Sequence, residues 1–468
     1  MGRLYISVPL GVLAIAVLLY LIAPVVIANK VEQSFVQGVE QYIAQGGGVD
    51  LDYNRGYFRS TARVRTEIRD PELSPDPVVL FFDFDINQEP KLDGSVATIE
   101  SRIVAGDPAL SRLLHGLFPD GVPLSASTTV YFDGAHTTEV RSAAFEAPFP
   151  GEDRVTVKWE GMQGRAQSNG DGAAIDYSLE APLFLVDMPI GRIEMKALSS
   201  SGSVTPDPAL GAIGDVQYTI ESLSFSGMNQ PLRLSDLMLE YGVEVGDRIA
   251  KSDMRMSISA VDGAPMPVRN FELELVYDNI DTEGLEKFMA ASRAIQNAPD
   301  DATRQAMMGN LFAEPIPMFL RSSPEIRLER LVVGLPDVGV EADARVYFLG
   351  DDFDGNLNPP PIDRLRAEGR VVADRAALVQ MLDLFNQPRI AAAVLDAESG
   401  NLDPTELGAM TRQATEAQIN QVVATGYVED DGVSLKTNFG FDGRMLAVNG
   451  VPFDLVSMMP TPAAPAIE

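Results

Sequence analysis

Tyr57-Phe58-Arg59-Ser60-Thr61-Ala62-Arg63-Val64-Arg65-Thr66-Glu67-Ile68 alternates along its length: Phe58, Ala62, Val64 and Ile68 fall on one side of an extended chain, and Arg59, Thr61, Arg63 and Glu67 on the other. Successive strand side chains point to opposite faces, so this period of two predicts a half-buried β-strand. The same grammar recurs at 78–86, 96–104, 127–132, 154–159, 175–183, 190–197, 216–225, 234–245, 254–261 and 271–277, with Gly, Pro, Asp or Asn between many of the runs. So many strands with few helices between them predict extended antiparallel sheet, since parallel strands need long crossovers.

Helical spacing enters later. Apolar residues three and four apart at 282–297 and 302–312 predict two helices, after which strands return at 325–333 and 338–348. Asp374, followed by Ala377, Leu378, Met381, Leu382 and Phe385, predicts a capped helix, and Asp403, Pro404 and Glu406 form the capping box of another that reaches residue 423. The strands at 433–441 and 444–448 are joined by Asp442-Gly443, suited to the positive backbone angles of a tight hairpin. The fold class expected is α+β, predominantly antiparallel β, with an N-terminal transmembrane helix and a helical layer in the C-terminal half. Four regions follow: a membrane anchor at 1–29, a stalk helix and β-rich region at 30–280, an α+β region with a closing hairpin at 281–458, and a disordered tail at 459–468.

The anchor is the uncharged stretch 4–28, whose 25 residues at about 1.5 Å rise give a helix of about 37 Å. That length crosses a hydrocarbon core of about 30 Å and exceeds the apolar core of a cleaved signal peptide. An in-facing start followed by a long exported remainder places the bulk of the chain in the bacterial periplasm, on a single pass through the inner membrane. Beyond it Val31, Phe35, Val39, Tyr42 and Ile43 recur at helical spacing until Gly46-Gly47-Gly48, which predicts the stalk helix.

Composition narrows the chemistry. With 468 residues, 46% of them hydrophobic, the chain can fill two or three cores. Its 67 acidic against 36 basic residues give a net charge of −31, which repels polyanions, so nucleic acid is not an expected partner. The absence of Cys removes disulfides, thiolate metal sites and thiol nucleophiles together, and suits an oxidising compartment.

Three segments, Tyr53-Asn54-Arg55-Gly56-Tyr57-Phe58-Arg59-Ser60-Thr61-Ala62, Pro324-Glu325-Ile326-Arg327-Leu328-Glu329-Arg330-Leu331, and the closing Gly426-Tyr427 through Leu446-Ala447-Val448-Asn449-Gly450, resemble the YdgA-like family of membrane-anchored bacterial envelope proteins of undefined function. The resemblance spans nearly the whole chain and implies location and architecture, but no catalytic residue. A likeness of layout alone links the chain to the AsmA-like envelope proteins, which are anchored, β-rich and connected with lipid traffic.

Candidate chemistry has a structural alternative at each point. Arg55 and Arg59 flank aromatics and suit an anionic ligand or stacking on Tyr57; the structural alternative is a bend at Gly56, Tyr57 and Phe58 packed on either side of the sheet, and Arg55 tying down a neighbouring acidic strand. The motif residues Tyr53, Arg55, Gly56, Tyr57, Phe58, Ser60, Asn449 and Gly450 are accordingly read as structural. Asp83, Asp85 and Asn87 start like a calcium loop, but Gln88 and Gly94 replace its Gly and bidentate Glu. Asp352, Asp354 and Asn356, around Gly355, are the better calcium candidate, though no metal or cofactor is expected. His115 and His136 are too few for a zinc or charge-relay site, and Met254, Met256, Met307, Met308 and Met318 read as apolar filling. No metalloprotease, phosphate-loop or nucleophile-elbow pattern occurs.

The expected role is a non-catalytic scaffold or protein-binding module. The alternative is a carrier of lipid or another apolar ligand, with an apolar groove partly covered by the helices of 374–424. A hydrolase using a carboxylate pair needs no motif and is the third possibility. Expected partners are the cytoplasmic membrane through residues 4–28 and an envelope protein or lipid.

Overall fold

The computed structural model describes residues 49–453 except 69–77, 92, 119, 150–151, 171–173, 208–210, 228–230, 265, 297–300, 337, 358–359 and 398–403. The expected anchor, stalk helix and tail lie outside the described residues. Among those described, no helix is long and apolar enough to cross a membrane. The chain divides into two compact units, residues 1–228 with 296–299 and residues 229–295 with 300–468. The division falls inside the 30–280 stretch that sequence patterning treats as one region.

The first unit contains β1 (Val49–Asn54), β2 (Arg59–Ile68), β3 (Val78–Asn87), β4 (Ser95–Ala105), α1 (Pro108–Leu117), β5 (Ser125–Tyr131), β6 (His136–Ser142), β7 (Phe145–Phe149), β8 (Glu152–Trp159), β9 (Met162–Ser168), β10 (Ile175–Met188), β11 (Gly191–Asp207) and β12 (Gly211–Ser226). Antiparallel pairing gives the order β1-β2-β3-β4-β5-β6-β9-β10-β11-β12. In β2 the alternation works as expected: Ser60, Ala62 and Thr66 are buried while Arg59, Thr61 and Arg63 are exposed. Arg59 Nε and Arg63 Nε donate to Asp85 and Asp83 of β3 at 2.7 and 2.6 Å, so these aspartates belong to a cross-strand ion-pair ladder.

The sheet forks at β10. Residues 175–180 of that strand pair with β9, but residues 184–187 pair on the same edge with β8, which continues into a hairpin with β7. Pro182 sits at the changeover, where its missing N–H costs no ladder bond. Across from it Ala197 of β11 takes φ 49°, a local irregularity in the neighbouring strand.

The second unit contains β13 (Leu232–Val245), β14 (Ile249–Asp262), β15 (Val268–Asp281), α2 (Thr282–Gln296), α3 (Asp301–Ala313), α4 (Pro315–Arg321), β16 (Glu325–Leu335), β17 (Val338–Phe348), β18 (Leu365–Asp374), α5 (Arg375–Ala397), α6 (Pro404–Ala424), β19 (Glu429–Asp430), β20 (Ser434–Phe441), β21 (Leu446–Val448) and β22 (Val451–Phe453). Its sheet runs antiparallel as β13-β14-β15-β16-β17-β18-β20-β21-β22, with β19 also on β20. Register lines up apolar side chains across it. Leu239, Met256, Leu273, Leu331, Ala342 and Val371 form one row, and Leu237, Ile258, Phe271, Val333, Val340, Ala373 and Leu435 another. The reverse face is ionic: Arg255 bridges Glu240 and Glu274, and Arg330 meets Glu272. Val379 of α5 and Ile419 of α6 close over Leu435, the end of the second row.

Several elements depart from the sequence expectation. β6, β7, β9, β18 and α1 were not foreseen. β6 and β9 carry Thr, Gln, Arg and Ser in place of large apolar residues, so their alternation is faint. α1 opens on Asp107-Pro108, with the Asp107 carboxylate accepting the Leu110 N–H at 2.8 Å and proline at the first helical position. Asp442-Gly443 belongs to a four-residue loop in which Asp442 Oδ1 accepts the N–H groups of Arg444 and Met445. The two-residue turn is Asn449-Gly450, φ 47° and 78°, between β21 and β22. Asp374 directs its carboxylate to the Gly339 N–H at 2.6 Å, across to β17.

Candidate functional site: an apolar cleft at the strand fork

Where β8 and β9 part company beside β10, the first unit opens a cleft of about 760 Å³. Its walls follow from strand periodicity. Val155, Val157 and Trp159 come from one face of β8, Phe145 and Phe149 from one face of β7, and Phe184 and Val186 from one face of β10; Leu117, Phe118, Pro123 and Leu124 close the side at the end of α1. Phe118 and Phe145 meet edge to face with ring centroids 4.7 Å apart, and Trp159 and Phe184 do so at 6.2 Å. Among the described lining residues Ser142 carries the single hydroxyl, and it accepts the Trp159 indole N–H at 2.9 Å. The apolar wall extends in register beyond the cleft, from Phe184 to Met195 and Leu223 and from Val186 to Ile193 and Phe225.

A polar cleft of about 1210 Å³ adjoins it and shares Ser142. Residues 117–118 and 120–125 divide the two, since Asp120, Val122 and Ser125 line the polar side while Leu117, Phe118, Pro123 and Leu124 line the apolar one. Carboxylates outnumber guanidinium groups there: Asp52, Asp83, Asp85, Glu100 and Asp120 against Arg63, Arg102 and Arg141. Arg63 is engaged by Asp83, and the Arg59 guanidinium holds the Asp85 carboxyl below the usual carboxylate range, chiefly by direct hydrogen bonding.

The motif residues of the β1–β2 turn assemble around a buried hydroxyl. Ser60 Oγ accepts the Gly56 N–H at 3.1 Å and the Gln88 side-chain N–H at 2.9 Å, and the Gln88 backbone N–H donates to the Phe58 carbonyl at 2.7 Å. A Cβ on residue 56 would stand 1.9 Å from the Arg59 carbonyl oxygen, so the turn requires glycine. Tyr57 and Phe58 pack edge to face, Tyr53 lines the polar cleft, and Arg55 lies in the turn. In the second unit Asn449 Oδ1 accepts the Asn438 N–H at 2.8 Å while its amide donates to the Tyr427 carbonyl at 3.1 Å.

The other candidates fall at separate places. Asp352, Asp354 and Asn356 lie in the loop after β17, where Asp354 Oδ1 accepts the Asn356 N–H at 2.8 Å. The carbonyls of that loop turn to arginines: Arg364 donates to those of Asp351 and Asp352, and Arg321 to that of Asp354. Among the described residues no group of three or more His, Asp or Glu side chains is arranged to hold a metal ion. His115 Nδ1 sits 2.8 Å from the Ser111 carbonyl within α1, and His136 opens β6. Met254 and Met256 alternate with Arg255 and belong to the apolar face of β14. No sequence motif announced the cleft. Its signal was the alternation of Val155, Val157 and Trp159 together with Phe184-Leu185-Val186, where β10 turns apolar on both faces.

Fold and site together define an antiparallel β-sheet protein with an aromatic-walled cleft beside an acidic one. Residues 6–456 match the model of DUF945, described as a bacterial protein of unknown function, and the chain belongs to that family. No curated protein and no solved structure matches it.

Proposed function

We propose that this chain is a non-catalytic binding protein for apolar ligands of the lipid class, tethered to the bacterial inner membrane by residues 4–28 with its β-rich body in the periplasm. One observation carries the ligand reading: a 760 Å³ cleft walled by aromatic and aliphatic side chains whose sole hydroxyl is already hydrogen-bonded to Trp159. Such a volume lies within the range of small-molecule sites, and a lining whose described residues are apolar apart from Ser142 selects ligands chiefly by apolar surface. The uncharged 4–28 stretch and the cysteine-free composition support the location, and the segments at 53–62, 324–331 and 426–450 support the finer YdgA-like assignment.

The test is extraction. Full-length protein purified from membranes should yield, on organic extraction and mass spectrometry, about one equivalent of lipid per chain more than the Phe184→Glu protein, whose lipid is that around the anchor alone. Equal lipid from both proteins would overturn the ligand reading. A protein-binding role is the second reading, favoured by exposed Leu384, Phe385, Met410 and Val422 on α5 and α6. It predicts a stoichiometric protein partner that is lost on Phe385→Glu and retained on Phe184→Glu.

A further inference from the structure

We infer that the occupant of the cleft is a long lipid chain lying across the strands, from β7 out onto β11 and β12, so that Met195 and Leu223 hold its outer part. The inference rests on the apolar-ligand reading above and adds the direction of the chain, its length and the residues beyond the cleft that it touches. Direction comes from register. Antiparallel partners place their side chains on the same face, so Phe145, Trp159, Phe184, Met195 and Leu223 form one row across β7, β8, β10, β11 and β12, and Ala147, Val157, Val186, Ile193 and Phe225 form the next. Four strand spacings of about 4.8 Å make this apolar band about 19 Å long across the strands.

Along the strands the band is shorter. From Phe184 to Met188, where β10 ends, it runs about 13 Å at about 3.3 Å per residue. In the other direction the face turns polar: Glu180 stands in register with Ser199, whose hydroxyl meets that of Thr219 at 2.6 Å. Cover is uneven along the long axis. α1, the one helix of the first unit among the described residues, packs on β4 and β7, so the second wall of the cleft stands over that end. Ile193, Met195, Leu223 and Phe225 lie outside the cleft lining and are half-buried. The hydrocarbon core of a bilayer is about 30 Å thick, so the chain of a lipid in one leaflet spans about 15 Å. A chain of that length fits within the band across the strands and outruns it along them.

Trp159 is the one tryptophan of the chain and a wall of the cleft, so its fluorescence reports on occupancy. Full-length protein held in an amphipathic polymer is titrated, below micelle formation, with decyl and hexadecyl maltoside, whose shared uncharged head leaves chain length as the variable. Contact on one side of the chain gives about twofold per added methylene, so the hexadecyl probe should saturate the Trp159 change at concentrations at least about tenfold lower than the decyl probe. Met195→Gln/Leu223→Gln, with its unfolding midpoint measured in parallel, should cut that advantage to about threefold or less and leave decyl binding unchanged; Met195→Leu/Leu223→Met, which keeps the band apolar, should preserve it. Leu223→Thr, a single strand-favouring change, repeats the comparison if the glutamine variant does not fold. A hexadecyl advantage indifferent to these polar substitutions, or equal weakening of both probes, overturns the direction of the chain and leaves the apolar-ligand reading standing. No saturable change with either probe overturns both.

Discussion

Gly56 and Ser60 show how little sequence a rigid turn needs and how much of its surroundings the sequence conceals. Gly56→Ala places a methyl 1.9 Å from the Arg59 carbonyl oxygen and should destabilise the first unit by about 1–3 kcal/mol, read as a lower urea midpoint. Ser60→Ala removes the acceptor for a buried donor on Gln88 and a half-buried one on Gly56, and should cost about 1–3 kcal/mol; Ser60→Thr, which keeps the hydroxyl, should recover part of it. Asn449→Ala loses the bonds to Asn438 and Tyr427 at a position with φ 47°, and should fray the β21–β22 hairpin, seen as faster amide exchange at Val448 and Val451. Sequence pointed to the bend at Gly56, whereas the tight hairpin turn, expected at Asp442-Gly443, lies at Asn449-Gly450. What braces the acidic strand was not legible: Arg59 and Arg63 do so, because register places them beside Asp85 and Asp83.

Among elements, β10 and the α5–α6 layer are the instructive pair. In the first half of β10, Ile175, Tyr177, Leu179 and Ala181 point one way and Asp176, Ser178 and Glu180 the other, and that half was legible as a strand. The second half loses its alternation because Phe184 and Val186 face the cleft while Leu185 is buried on the opposite side, so a one-faced pattern stops too early. In the helical layer Arg375 at the start of α5 donates to Glu416 of α6 and to Asp430 of β19. That guanidinium depresses the Glu416 carboxyl, chiefly through the hydrogen bond. A carboxyl depressed in the folded state gives its stabilisation in full above the unfolded value of about 4.3 and loses it as pH falls through the folded one. Glu416→Gln should therefore lower stability by about 1 kcal/mol at pH 7, and the difference from wild type in thermal midpoint should start to narrow below about pH 4 and vanish only beneath the depressed folded value.

On the scale of the whole molecule, the location proposal is open to a direct check. Alkaline phosphatase fused after residue 468 should be active in intact cells, and a cytosolic reporter at the same point silent; the reverse pattern would remove the periplasmic assignment. Composition and periodicity by themselves determined the acidic, cysteine-free character, the dominance of antiparallel strands and the helices of the C-terminal half, because each depends on residues within one short window. Tertiary structure alone decided the division near residue 228, the changeover at Pro182 and the cleft. The reason is physical. A strand's own pattern records which of its faces is apolar, whereas the space between faces depends on which strand becomes its neighbour, and that pairing brings Phe145, Trp159 and Phe184 together from separate stretches of chain.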